Sequence, residues 1–447
     1  MKKTTLLLLI FISSFTFSHA QVWNPLGALT ALGNASSGVK VIATSQYDGA
    51  IYVGGTFTGS VNYLARYNST TNTWQQVGSG INGPVYALAM YKNNLYVGGS
   101  FTSAGGLTVK NIVSFSPVGG FNQVLDGLNG PVNCFSIPDD SSKLYIGGTF
   151  TASGGGGTAL SRIASLTSTA SWVPLGTGVS QGVNSIIECT IAGMKSVYAG
   201  TDDITSPVYK YSGVSAWTAL PSLTGGKVNA LASINGYLYC GGEFNQPYFC
   251  GAKWDGINWS SLITNLVPAN KIYSFLKVNT RLYIGGAFTG LGVNSACNYI
   301  ARIEGPSVPF QAVLTANSLA GAPLAIANIS GYLIAGGNWL ANGMNISISS
   351  TTIGIDEISN YIESSTFFPN PMSNQATFNV ILKKHFNSSS FMIYNNQGQL
   401  VAEKFTDNIG TNNLLFNIDR DNLKSGIYHF QLILDGHSVK SDSFIIE

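Results

Sequence analysis

The sequence predicts an all-β protein: a seven-bladed β-propeller with four strands per blade, its last blade closed by the N-terminal strand, then a small C-terminal β-sandwich. Three observations predict it. A Tyr-x-Gly-Gly-x-Phe element recurs in seven copies spaced 41 to 53 residues apart. Each copy sits in a four-part run of short Val-, Ile- and Tyr-rich segments punctuated by Gly, Asn, Ser and Pro, which is strand-and-turn chemistry. Past Thr351 the element stops and a different alternation begins.

The repeat justifies the blades. Its full copies are Tyr52–Phe57, Tyr96–Phe101, Tyr145–Phe150, Tyr239–Phe244 and Tyr283–Phe288; Tyr198–Thr201 and Ile334–Trp339 are degenerate. An apolar strand such as Val85–Ala89 precedes each copy. A strand with one polar position follows, as in Ala65–Tyr67 or Ala301–Ile303. An aromatic then opens a fourth: Trp74, Phe121, Trp172, Trp217, Trp259 and Phe310. Four strands per unit and seven units fit a propeller. The Gly-Gly pairs end the second strand, where close neighbours would clash with a Cβ. No Lys-Ser/Thr and no helix follows them, so they are not phosphate loops.

Closure follows from the ends. The seventh repeat lacks an aromatic fourth strand in Thr351 to Ser365, whereas Trp23-Asn-Pro-Leu26 resembles a fourth strand with no blade before it. The Trp23 segment is therefore expected to complete the last blade, hiding two strand edges that would otherwise invite aggregation.

Composition bounds the function. Lys2 and Lys3, an apolar run from Thr5 to Phe17 and Ser18-His19-Ala20 read as a signal peptide over residues 1–20, its run too short to span a bilayer. No later stretch is long and apolar enough to be a transmembrane segment. Without Lys2 and Lys3 the 22 basic residues fall to 20, equal to the 20 acidic ones. No basic patch is visible, so nucleic acid is set aside as a partner. Charged residues are only 9% of the chain, but 45% hydrophobic content argues for a folded, turn-rich protein rather than disorder. Cys240 and Cys250 flank a hairpin turn and allow either a disulfide or two buried thiols, while Cys134, Cys189 and Cys297 lack metal-site spacing.

The repeats resemble those of the kelch-type propellers, the class that includes the galactose oxidase central domain, over roughly Gly38 to Ser350. The resemblance rests on the Gly-Gly after strand two and the Trp opening strand four; Phe after the glycines departs from it. Galactose oxidase uses a copper site with tyrosine and histidine ligands. After the signal peptide the only histidines here are His385, His429 and His437. Oxidase chemistry is not carried over, and no Ser-His-Asp or Cys-His set can be built in the propeller. No resident cofactor is implied.

A linker is expected over 353–363 and a final domain over 364–447, leaving 21–352 for the propeller. Four marks of that final domain are Phe368-Pro-Asn-Pro371, Ile393-Tyr-Asn-Asn-Gln-Gly-Gln399, Asn422-Leu-Lys-Ser-Gly-Ile-Tyr428 and a strand running to the last residue. In these it resembles the type A sorting domain of the type IX secretion system of Bacteroidota. The resemblance implies passage to the periplasm, recognition by the type IX machinery, and a product that is extracellular or attached to the outer-membrane surface. About seven short strands suggest a small immunoglobulin-like sandwich.

Ligand sites are expected at one mouth of the propeller, where loops between strands two and three meet the links between blades. Those loops are long at Thr102–Lys110, Thr151–Leu160 and Thr289–Asn298. Asp202, Asp203 and Glu243 fall on this face of neighbouring blades. Paired carboxylates hydrolyse glycosides when one is kept protonated, or gather Ca²⁺; the plain alternative is a solvated acidic cluster. Trp339 is placed either to stack on a sugar ring or to pack in the core. Asn82 and Asn129, in Asn-Gly-Pro links, are turn formers and hydrogen-bonding candidates. A binding protein for an unknown extracellular glycan or protein is the expected function, with a polysaccharide hydrolase as the rival.

Overall fold

Short β-branched and aromatic runs interrupted by Gly and Asn turns satisfy their backbone groups most simply as consecutive antiparallel hairpins. The computed structural model describes residues 23–447 except 28–37, 46–48, 168–170, 214–215, 222, 263–269, 280, 292–293, 304–318, 320, 330, 342–343, 353–361, 384–388, 396–399, 406–411, 422 and 435–436. The expected signal peptide, Phe310 and most of the expected linker lie outside these residues. Among the described residues there is no helix.

Seven antiparallel sheets of three or four described strands follow one another up to Thr352, and a two-stranded ladder of Ser103–Ala104 and Leu107–Thr108 lies in a loop of the second. The first consists of Val39–Thr44, Ile51–Thr58, Asn62–Asn68 and Thr73–Gln76, in chain order. Four more four-stranded sheets open at Val85, Val132, Val183 and Val228. The sixth has three described strands, Lys271–Val278, Arg281–Leu291 and Asn294–Ile303. The seventh comprises Pro323–Ile329, Tyr332–Ala341 and Met344–Thr352, and its fourth strand is Trp23–Pro25. Trp23 pairs with Ser349 and Pro25 with Ser347.

A repeated indole bond marks the same place in the sheet. Trp217 Nε1 donates to the carbonyl of Leu175, which directly follows the outer strand Trp172–Pro174 of the preceding sheet, at 2.8 Å. Trp74 Nε1 donates to the carbonyl of Leu26, which follows Trp23–Pro25, at 2.7 Å. The N-terminal segment thus stands to the first sheet as the third sheet's outer strand stands to the fourth.

The motif residues are core. Tyr52, Tyr198, Tyr239, Tyr283, Phe57, Phe150, Phe244 and Phe288 are among the largest fully buried side chains. The first glycine of each pair meets the next sheet. A Cβ on Gly98 would lie 2.5 Å from Val132 Cγ1, and one on Gly147 2.6 Å from Val183 Cγ1. Gly54, Gly200 and Gly241 face Val85, Val228 and Ile272 in the same way. The second glycine lies over the backbone that opens its own sheet: Gly148 faces the carbonyl of Pro131 and Gly286 that of Lys271. Glycine is required here by proximity, as the sequence suggested. The first strand of each sheet lies against the first strand of the next, and that of the seventh against that of the first.

The C-terminal residues form a three-stranded sheet of Ile362–Phe368, Gln375–Leu382 and Asn413–Asp419 and a four-stranded sheet of Leu400–Phe405, Ser389–Asn395, Gly426–Leu434 and His437–Ile446. Alternate residues of both sheets point into one core, in which Phe378, Phe391 and Phe430 sit with ring centroids 4.8 to 5.0 Å apart. The first strand begins at Ile362, inside the segment expected to be linker.

Candidate functional site

One register irregularity recurs in all seven first strands. Pairing with the second strand skips a residue between Val39 and Val41, Val85 and Ala87, Val132 and Cys134, Val183 and Ser185, Val228 and Ala230, Ile272 and Ser274, and Pro323 and Ala325. Such bulges re-aim a side chain and leave the extra residue unpaired. The extra residues are Lys40, Tyr86, Asn133, Asn184, Asn229, Tyr273 and Leu324. They occupy one level of the seven first strands, beside the Gly-Gly ends of the second strands.

Three consecutive members of that level are occupied by sheet-to-sheet bonds. Asn133, Asn184 and Asn229 each donate Nδ2 to the opening carbonyl of the next sheet, Val183, Val228 and Ile272, at 3.0 to 3.2 Å. The carboxylates predicted from sequence stand on the same side. Asp202 Oδ1 accepts from Asn184 Nδ2 at 2.7 Å. Glu243 pairs with Lys271 at 2.7 Å and Lys227 at 3.6 Å. Partial burial raises the Glu243 carboxyl, but the hydrogen bond from Lys271 and the two ammonium charges outweigh it and hold its pKa below the ordinary value.

Asp203 is turned to a different task. Its Oδ1 accepts from Thr205 N at 2.8 Å and Thr205 Oγ1 at 2.6 Å, and its Oδ2 from the Tyr209 hydroxyl at 2.7 Å. Burial raises its pKa, but these bonds prevail and lower it. Asp203 therefore fixes its own loop.

Lys40, the bulged residue of the first sheet, has its pKa drawn below the ordinary lysine value by burial first and the charge of Lys227 second. Tyr273 stands beside Lys271 and Glu243; burial is the main cause of its raised pKa. Sequence reading missed Lys40, Lys227, Lys271 and Tyr273. For Lys40 and Tyr273 the signal was the residue after each strand-opening Val, Ile or Pro, which is polar or aromatic in six of the seven repeats; Lys227 and Lys271 stand before Val228 and Ile272, and no such repeat marks them.

The remaining candidates occupy the loops. Asn82 Oδ1 accepts from the backbone of Thr102 and Ser103 and its Nδ2 donates to Thr102 Oγ1. Asn129 does the same with Thr151 and Ala152. Both amides fasten a link between sheets to a loop between strands two and three. Ile81 with Ala104 and Leu128 with Ser153 add backbone bridges, so links and loops share a face as expected. Trp339 is 5% exposed and lies against Gly337 and Gly321. Cys240 and Cys250 are buried free thiols, burial pushing Cys250 up to about 12. Among the described residues no three His, Cys, Asp or Glu side chains form a metal-holding group, and no helix is long and apolar enough to cross a membrane.

Comparison with known proteins adds the delivery route. Residues 366–447 match the secretion system C-terminal sorting domain. The protein is therefore exported through the type IX secretion system and is secreted or attached to the cell surface. Residues 46–70 match a β-propeller domain family of unknown function (DUF5122). No curated protein matches the chain significantly. Among solved structures, the computationally designed Ika8 protein is 13% identical with a TM-score of 0.43, covering 72% of this chain and 99% of its own. A fungal alcohol oxidase of the AA5 family, in complex with copper, is 10% identical at 0.48, covering 96% and 100%. The Pan2 WD40 domain of Neurospora crassa is 10% identical at 0.45, covering 75% and 98%. At these scores the likenesses transfer no function.

Proposed function

We propose that this is an exported binding protein: a cleaved signal peptide over 1–20, a closed seven-bladed, kelch-type propeller over 21–352, a short linker, and a sandwich-shaped sorting domain over 364–447. Seven sheets joined first strand to first strand, with Trp23–Pro25 in the seventh, support the ring. The Gly-Gly pairs and outer-strand indoles support the kelch type.

The bulged level of the first strands is the binding surface. The observation that carries binding over hydrolysis is the state of the carboxylates. A glycosidase needs one carboxyl held protonated. Glu243 lies between Lys227 and Lys271, and Asp203 accepts four hydrogen bonds, so both stay ionised.

The test is to incubate the purified full-length protein with a panel of neutral and acidic polysaccharides, measuring binding by calorimetry and new reducing ends in the same samples. Binding without product release is expected. Release of reducing ends that is lost in Glu243→Gln would overturn it.

A further inference from the structure

The sequence holds four Asn-Gly steps: Asn82-Gly83, Asn129-Gly130, Asn235-Gly236 and Asn342-Gly343. The last lies outside the described residues, and the fold places the other three in two unlike settings. Asn before Gly is where a side-chain amide is most open to attack by the next backbone nitrogen, because glycine brings no side chain to hinder the approach and reaches the required backbone angles freely. The surroundings of the amide and of the glycine decide whether the reaction runs.

Asn82 and Asn129 are held. Asn82 Oδ1 accepts from Thr102 N at 3.0 Å and Ser103 N at 2.9 Å, and its Nδ2 donates to Thr102 Oγ1 at 2.9 Å. Asn129 Oδ1 accepts from Thr151 N at 2.8 Å and Ala152 N at 3.0 Å, and its Nδ2 donates to Thr151 Oγ1 at 2.9 Å. Their glycines are confined as well: a Cβ on Gly83 would run into the carbonyl of Ser100, and one on Gly130 would stand 2.9 Å from Phe150 Cα. Swinging either Cγ onto the glycine nitrogen means giving up all three hydrogen bonds of the amide.

Asn235 is not held. With Gly236 it forms the two-residue turn between Val228–Ile234 and Tyr237–Gly242, at φ of 52° and 77°, the left-handed pair that favours Asn-Gly. Both residues are exposed, and a Cβ on Gly236 would meet nothing within 4 Å. None of the described residues is bonded to the Asn235 side chain. Only the terminal Ile234–Tyr237 pair must loosen for the amide to reach the Gly236 nitrogen, and hairpin ends open at low cost.

We propose that Asn235 is a site of spontaneous deamidation, and that Asn82 and Asn129 are protected by the loops that bind them. The Gly236 nitrogen attacks Asn235 Cγ. The new C–N bond closes a succinimide, and the side-chain nitrogen leaves as ammonia, taking the proton of the Gly236 amide. Water then opens the ring at either carbonyl, leaving aspartate or, with the chain rerouted through the side chain, isoaspartate. Water is the one co-reactant. The product carries a new carboxylate two residues from Tyr237, over whose ring the Lys253 ammonium sits at 5.4 Å. In an exported protein the modified fraction grows with time spent outside the cell.

The test holds the full-length protein in mildly alkaline buffer, digests it at intervals, and follows the mass increase of each Asn-Gly peptide, separating aspartate from isoaspartate by chromatography. In the folded protein Asn235 is expected to convert at least about tenfold faster than Asn82 or Asn129. In guanidinium the three should convert at comparable rates, because the fold and not the local sequence sets the difference. Thr102→Ala removes the acceptor of Asn82 Nδ2 from an exposed position; it should speed Asn82 and leave Asn129 unchanged, with unchanged melting excluding global unfolding as the cause. Conversion of Asn82 or Asn129 as fast as Asn235 in the folded protein would overturn the proposal. So would an Asn235 that stays intact in the folded protein while the unfolded chain converts. An Asn82 rate unmoved by Thr102→Ala in a folded variant would overturn the protection assigned to its loop.

Discussion

Val39 and Gly336 meet across almost the whole length of the sequence: a Cβ on Gly336 would stand 2.5 Å from Val39 Cγ1. The same relation joins Gly98 to Val132 and Gly147 to Val183, so the seventh sheet receives the first as any sheet receives its successor. Gly336→Val is expected to destabilise by about 1–3 kcal/mol, the usual cost of overpacking. Gly157→Ala, where the added Cβ meets open space, should change stability by less than about 0.5 kcal/mol. Urea midpoints of the two variants check both values.

On the third and fourth sheets, Glu188 Oε2 accepts from the Tyr145 hydroxyl at 2.5 Å while Oε1 pairs with Lys195 at 2.7 Å. The carboxylate is 8% exposed, so its removal strands the hydroxyl of the buried Tyr145. Glu188→Ala should cost about 1–3 kcal/mol. The double variant Glu188→Ala with Tyr145→Phe should recover part of that loss, which thermal denaturation would reveal.

Asp203 sets an acid limit. Its folded pKa lies below the ordinary 3.8 because hydrogen bonds outweigh burial. Its contribution is complete above the unfolded pKa and disappears as the pH falls through the folded value. Asp203→Asn should lower stability near neutrality by about 1 kcal/mol, since the site is only half-buried, and should make the acid limb of the stability curve shallower. Urea titrations at a series of pH values down to about 2.5 measure this.

In the C-terminal domain Phe391 packs against Phe378, Phe416 and Phe430 and is fully buried. Phe391→Ala should cost about 3–5 kcal/mol. Because export runs through this domain, the variant should accumulate inside the cell envelope, and fractionation of producing cells would show the shift.

Much of this architecture was legible because it repeats. The tyrosines and phenylalanines of the Gly-Gly element and the outer-strand indoles report one local environment several times over, and Trp23 was readable as a displaced copy. The two C-terminal sheets were legible from alternation alone. The bulged level was not. Lys227 and Lys271 are far apart in sequence, and only the fold brings both to Glu243. Asp203 illustrates the reverse case: beside Asp202 it reads as half of a carboxylate pair, and only the turn through Thr205 and Tyr209 reveals that its oxygens are committed.

Closure of the ring by the chain's own beginning is tested most directly by amide hydrogen exchange over Met344–Thr352, the strand that Trp23–Pro25 covers. In the intact protein these amides should exchange slowly. Deleting residues 23–27 should expose them, speeding their exchange and lowering the melting temperature. Unchanged protection and unchanged melting after that deletion would contradict a propeller closed by its N-terminal strand.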